Sequence, residues 1–220
     1  MKKIVLFLLI LPFMMNVTAD AQPKSSVPSQ VHFVIHTDLG DMSGVLYNET
    51  PGHRDNFVKL AKAGFFNGLL FHRVIQGFMI QGGDPDSKNA KPGQQLGGGG
   101  PGYTIPAEIN PDFIHKKGAL SAARQGDQVN PKKASSGSQF YVVQGQKQDP
   151  QKLGSQYPGR YSTQQLEFYK TLGGTPFLDR EYTVFGEITS GLDVIDKIAA
   201  VQKDTHDRPL KDVKMTVTIK

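Results

Sequence analysis

The chain has 220 residues, no cysteine, and a formal charge of +5 from 25 Lys and Arg against 20 Asp and Glu. That length makes one domain with a substantial core the expectation, and the missing thiols exclude disulfides, thiol catalysis, zinc–thiolate sites and lipid attachment through cysteine. The charge excess is mild and the lysines are scattered, with Lys116-Lys117 and Lys132-Lys133 the only pairs beyond the N-terminus, so a nucleic-acid partner finds no support.

Met1-Lys2-Lys3 leads into an apolar run, from Ile4 to Met15, that ends at Thr18-Ala19-Asp20-Ala21. A basic start, an apolar centre and an A-x-A end predict an export signal over 1–21, cleaved after Ala21. The run carries Pro12 and falls short of the ~20 residues a spanning helix needs. Cleavage removes Lys2, Lys3 and Asp20 and leaves a charge of +4. No later stretch is apolar enough to span a bilayer, so the mature chain is expected to work off the membrane, in the periplasm, with release outside the cell as the alternative. Residues 22–30 (QPKSSVPSQ) read as a flexible spacer, and the domain as 31–220.

Runs at 31–37 and 42–47, rich in Val, Ile, Phe and Tyr and separated by Asp38-Leu39-Gly40-Asp41, predict a hairpin. Thr50 as cap and Pro51 at the first helical position open a helix that carries Phe57, Leu60 and Ala61 on one face and stops at Gly64. Strands are predicted at 69–74, 78–81, 118–123, 139–144 and 182–187, each bounded by Gly or Pro. Segment 145–175 has a different texture, rich in Gln, Lys, Pro, Gly and Tyr, and reads as an inserted loop with one short helix at 163–172, boxed by Ser162 and Gln165. A last helix places Leu192, Ile195, Ile198 and Ala199 at helical spacing behind a Ser190–Asp193 capping-box variant. Val213, Met215, Val217 and Ile219 then alternate with polar residues as a closing strand. Many short strands with two amphipathic helices predict a mainly β barrel or sandwich.

Several motifs carry no chemistry. Gly97, Gly99 and Gly102 satisfy G-x-G-x-x-G, but Pro101 and Pro106 interrupt it and no strand-to-helix turn surrounds it, so the stretch reads as a turn where backbone packs closely against something. Among the six histidines only His32 and His36 approach a ligand spacing, with no carboxylate motif beside them, so no metal is expected. No serine lies in G-x-S-x-G.

The dense block from Phe71 to Asp84, FHRVIQGFMIQGGD, is different. An arginine on a strand is ordinarily a solvated surface residue. Here Arg73 has bulky Phe78 and Met79 for neighbours, and Gln81 offers both a donor and an acceptor, which outlines a fixed cation beside an apolar pocket. The block resembles the cyclophilin signature. GALSAAR from Gly118, GSQFY from Gly137, and Phe177-Leu178-Asp179 followed by Val184-Phe185-Gly186 agree with the family and come in its order. The resemblance covers 31–220 apart from the insertion.

That resemblance implies a closed eight-stranded antiparallel barrel with two capping helices, and peptidyl-prolyl cis-trans isomerase activity without metal or cofactor on proline-containing polypeptides, by a monomer. It implies Arg73 as the catalytic arginine with Gln81 beside it. Phe78, Met79, Tyr141, Phe177, Leu178 and Tyr182 match the proline pocket, and Ala123, Arg124 and Gln139 the peptide groove. Gln139 and Tyr141 lie two apart, so both can face the groove while Phe140 turns into the core. Tyr141 stands for a family phenylalanine, Tyr182 for a histidine and Phe177 for a frequent tryptophan; each keeps an aromatic body, and loss of the indole donor implies weak cyclosporin binding. Arg124 stands for an asparagine that contacts through backbone, which leaves its effect open. Two other readings stay open: a domain that holds proline segments without turnover, and a scaffold whose business lies in the insertion.

Overall fold

The computed structural model describes residues 30–220. The expected export signal and nearly all of the spacer lie outside the described residues. Eight strands, β1 (Val31–Thr37), β2 (Gly40–Leu46), β3 (Leu69–Ile75), β4 (Met79–Gly82), β6 (Ala119–Ala122), β8 (Phe140–Val143), β9 (Val184–Ser190) and β10 (Lys214–Ile219), close into a barrel in the order β1-β10-β3-β4-β8-β6-β9-β2. Every pairing is antiparallel. The short β5 (Thr104–Ile105) and β7 (Ser135–Ser136) form a separate ladder. Closure removes the open edges a strand-rich chain would otherwise expose.

Alternation along the strands divides the apolar residues between two faces. Phe140, Val142, Ile80 and Leu120 turn inward to a core shared with Phe33, Phe57, Phe66 and Phe185. Met79, Tyr141, Val143 and Val184 turn outward and pack with Leu178 in a second cluster. That outer cluster positions the site.

Helix α1 (Pro51–Lys62) lays Phe57, Leu60 and Ala61 on the barrel interior, as the spacing predicts. Its cap differs from expectation. Thr50 occupies the cap position but makes no side-chain cap bond; Glu108 instead accepts from the amides of Gly52 and His53, both at 2.9 Å. The carboxylate thus serves helix-terminal donors from another part of the chain.

Helix α4 (Leu192–Ala199) also starts differently. The Ser190–Asp193 capping box does not form, because Ser190 is still paired to Ser43 in the β2–β9 ladder. The turn falls to Gly191 in the left-handed region, φ 87°, where a Cβ would sit 2.2 Å from the Asp41 carbonyl oxygen, so only glycine fits. Asp193 pairs instead with Lys197 at 2.8 Å, one turn on.

The insertion holds two helices rather than one. Helix α3 (Thr163–Thr171) carries the expected Ser162–Gln165 capping box. Ahead of it, α2 (Pro150–Gln156) starts with Pro150 behind Asp149, whose carboxylate accepts from Gln151 N at 2.8 Å. Leu153 and Tyr169, with Tyr157, Tyr161, Leu166 and Phe168 around them, pack on Ile114 as a small core of their own.

Candidate active site

The cross-strand register brings the signature residues together. Arg73 stands opposite Gln81 in the β3–β4 ladder, and Gln81 opposite Tyr141 in the β4–β8 ladder. A cleft of about 510 Å³ opens there on the outer face of the barrel. Phe78, Met79, Tyr141, Leu178 and Tyr182 give it an apolar base, with Arg73 and Gln81 on one side. The arrangement is an apolar hollow with one half-exposed guanidinium beside it.

A relay of amides orients that guanidinium. Arg73 Nη1 donates to Gln81 Oε1 at 3.5 Å, and Gln81 Nε2 donates to Gln139 Oε1 at 3.1 Å. Gln139 Nε2 donates in turn to the carbonyls of Gly97 and Gly99 at 2.9 and 2.7 Å. Because each amide nitrogen is spent on the next acceptor, each amide oxygen faces back toward the arginine. The fully buried Asp84 anchors the far end, accepting from the Gly97 amide at 2.5 Å and the Gly99 amide at 3.3 Å. A Cβ on Gly99 would lie 2.1 Å from Asp84 Oδ1. The glycine-rich stretch therefore works as the sequence suggests, by letting backbone approach a buried partner.

Ala123 and Arg124 lie where this cleft runs on into a second hollow of about 690 Å³ bounded by Gly97–Gly100, Tyr103 and Gln139. Together the two form one groove. The Arg124 side chain does not reach along it: Nε donates to the Glu181 carbonyl at 3.0 Å, and the guanidinium sits 4.4 Å from the centre of the Tyr182 ring. It braces the Tyr182 ring against the cleft. Phe177 departs from its expected place. It is 57% exposed, does not line the cleft, and leans on Phe78 with ring centres 5.6 Å apart. The three-residue turn Pro176–Leu178 sends Leu178 inward and Phe177 outward, which puts Phe177 at the rim.

The stretch of wall beside Arg73 was not foreseen from the sequence. Asp204, His206, Asp207 and Arg208 line it, and Asp207 Oδ2 lies 3.8 Å from Arg73 Nε. The Asp207 carbonyl accepts from the Val74 amide at 2.8 Å, so this loop continues the β3 edge beside the arginine. Only closure of the barrel makes them neighbours. Among the described residues no group of three or more His, Asp or Glu is placed to hold a metal ion.

His72, behind Arg73, is 4% exposed and neither ring nitrogen has a partner. Burial pushes its pKa down to about 4; Asp84 nearby pulls upward, and Arg73 and Arg208 push down further. Unfolded, the ring titrates near 6.5, so between those values the unfolded chain binds the extra proton. Stability from this group is complete above about pH 6.5 and falls by about 3 kcal/mol as pH drops through 4. Urea melts at pH 7.5 and pH 4.5 should show most of that loss, to which buried His53 adds its own, and His72→Gln, which takes up no proton, should remove the His72 share.

Comparison with known proteins agrees with the geometry. Residues 32–219 match the family model described as cyclophilin type peptidyl-prolyl cis-trans isomerase/CLD. A protein of Staphylococcus aureus (strain USA300), assigned by name to the peptidyl-prolyl cis-trans isomerases, is 39% identical over 192 residues, 86% of this chain and 91% of its own. One of Staphylococcus saprophyticus with the same designation is 35% identical over 189 residues, 84% of this chain and 89% of its own. A crystal structure of a Cryptosporidium parvum cyclophilin type isomerase superposes with a TM-score of 0.63 at 25% identity, covering 87% of this chain and 98% of that one. A closed antiparallel barrel with an arginine beside an outer apolar cleft is the cyclophilin arrangement. The chain belongs to the cyclophilin type peptidyl-prolyl cis-trans isomerases and is an enzyme of that activity.

Proposed function

We propose that this enzyme accelerates X-Pro rotation in exported proteins, in the periplasm, with Arg73 as the catalytic residue and the apolar cleft as the proline seat. The observation that carries the reading is Arg73 held at the lip of that cleft by Gln81 and Asp207. Rotation about an amide meets a barrier of about 18–20 kcal/mol because resonance is lost at the twisted geometry. In the twisted state the proline nitrogen is pyramidal and its lone pair localised. A guanidinium donating to that lone pair binds the twisted state better than either planar isomer, and that difference is catalysis. Arg73 suits the task because it stays protonated and presents a rigid fork.

Phe78, Met79, Tyr141, Leu178 and Tyr182 would clamp the proline ring while the preceding residue turns. Their dryness would strengthen the arginine's hydrogen bond. Gln81 buttresses Arg73. Ala123, Arg124 and Gln139 border the path of the chain ahead of the proline, and Phe177 would meet it at the rim.

A protease-coupled exchange assay on a series of X-Pro peptides tests the reading. Catalytic amounts of protein should raise the cis-to-trans rate, with a ranking by the residue before proline; binding without acceleration would leave a holding role instead. The export half rests on the basic, apolar and A-x-A segments of 1–21. Mass spectrometry of the protein recovered from the producing cell should find a mature chain starting at Gln22, and an intact Met1 would count against it.

A further inference from the structure

Behind the cleft lies a polar cluster that the mechanism above does not use. Tyr141, whose ring forms part of the apolar base, has its hydroxyl 3.0 Å from His115 Nε2. His115 is fully buried, and its Nδ1 is 2.8 Å from Asp179 Oδ1. Asp179, 2% exposed, accepts from the His115 amide at 2.7 Å, and through Oδ2 from the hydroxyls of Tyr161 at 2.8 Å and Tyr169 at 2.5 Å. Tyr161 and Tyr169 belong to the insertion.

Donor and acceptor accounting gives this chain a direction. A carboxylate holding four donors only accepts, so His115 Nδ1 carries the proton facing it. Nε2, at the other end of the ring, meets the Tyr141 hydroxyl, so the imidazole ties that hydroxyl to the carboxylate. The hydroxyl is thereby engaged behind the cleft, which leaves the cleft lined by the Tyr141 ring. The two insertion tyrosines satisfy the carboxylate oxygen that His115 does not reach. Without them a buried carboxylate lacks half its partners, and a partly satisfied buried network rearranges. Stacking spreads the constraint: Tyr182 meets both His115 and Tyr141 edge-on, with ring centres 6.4 and 6.0 Å apart.

We propose that the insertion is a built-in part of the isomerase site: Tyr161 and Tyr169 are positioning residues that, through Asp179 and His115, fix Tyr141 as the base of the proline cleft. This rests on the isomerase reading and adds that affinity for the proline segment is set from the insertion. Burial raises the Tyr141 and Tyr169 pKa values well above the ordinary tyrosine value, so both hydroxyls keep their protons.

A double-mutant cycle tests it. Tyr169→Phe should raise KM for an X-Pro peptide about fivefold with kcat within about twofold, the scale on which contacting residues couple. In a Tyr141→Phe background, where the chain is already cut, the same change should move KM by less than about twofold. Should Tyr169→Phe fold poorly, Tyr161→Phe, which removes one hydroxyl from a partly exposed residue, should show the same pattern at smaller size. An unchanged KM, or an equal rise in both backgrounds, overturns the proposal. A role in stability alone would lower the melting temperature and leave KM in place. Peptide affinity by NMR titration gives the same cycle without turnover, so an inactive wild type would sink the isomerase reading while still deciding the coupling.

Discussion

Arg73→Ala should lower kcat/KM for X-Pro exchange about 10²- to 10³-fold, the loss measured when one donor aimed at a developing charge is removed. The peptide should still bind within about threefold of the wild-type affinity, because the apolar base of the cleft is untouched and the lost contact belongs to the twisted state. Arg73→Lys should fall between the two. It keeps the charge but not the planar fork that lets one edge face Gln81 while Nε faces Asp207. Steady-state kinetics on one peptide, with affinity measured separately, gives both quantities; a rate loss matched by an equal affinity loss would mean that Arg73 only binds.

Phe57→Ala should cost about 3–5 kcal/mol of stability and little activity. Phe57 is the hub of the barrel's aromatic interior, with the rings of Phe33, Phe66, Phe140 and Phe185 centred 5.1–5.7 Å from its own. Its loss leaves a cavity that four large neighbours, three of them fixed on strands and Phe66 in the turn after α1, cannot close. The cleft lies on the outer face, lined by residues of the other cluster. Urea unfolding should show the loss, while kcat/KM at a temperature well below the melting midpoint stays within about twofold. A comparable drop in activity would mean that the two faces are not separable.

Local pattern carries a long way in this chain. Alternation at 213–219 and the apolar spacing of α1 and α4 are visible residue by residue, and the barrel order follows once the family is seen. Arg73, Gln81 and Met79 could be read together because register places β3 beside β4 over a tight turn. Asp207 could not, since its closeness to Arg73 depends on β10 closing the barrel beside β3. Glu108 as the α1 cap has the same cause: the partner lies 55 residues from His53. At Ser190 a local rule lost to a tertiary one, because strand pairing to Ser43 holds the residue the capping box would need. For α2, the signal was present in Asp149-Pro150, but a seven-residue helix rich in polar residues makes little periodicity to read. The coupling of Tyr161 and Tyr169 to Tyr141 runs through His115 and Asp179, which no spacing rule joins.

The most direct test of the central claim is exchange NMR on a saturated X-Pro peptide, where rotation is measured on the enzyme and separated from binding. Wild-type protein should give cis–trans exchange of the bound peptide many times per second, against tens to hundreds of seconds unaided, and Arg73→Ala should bind the same peptide with that exchange slowed about 100-fold or more. Bound-state exchange as fast in Arg73→Ala as in wild type would show that the barrier is lowered by something other than this guanidinium.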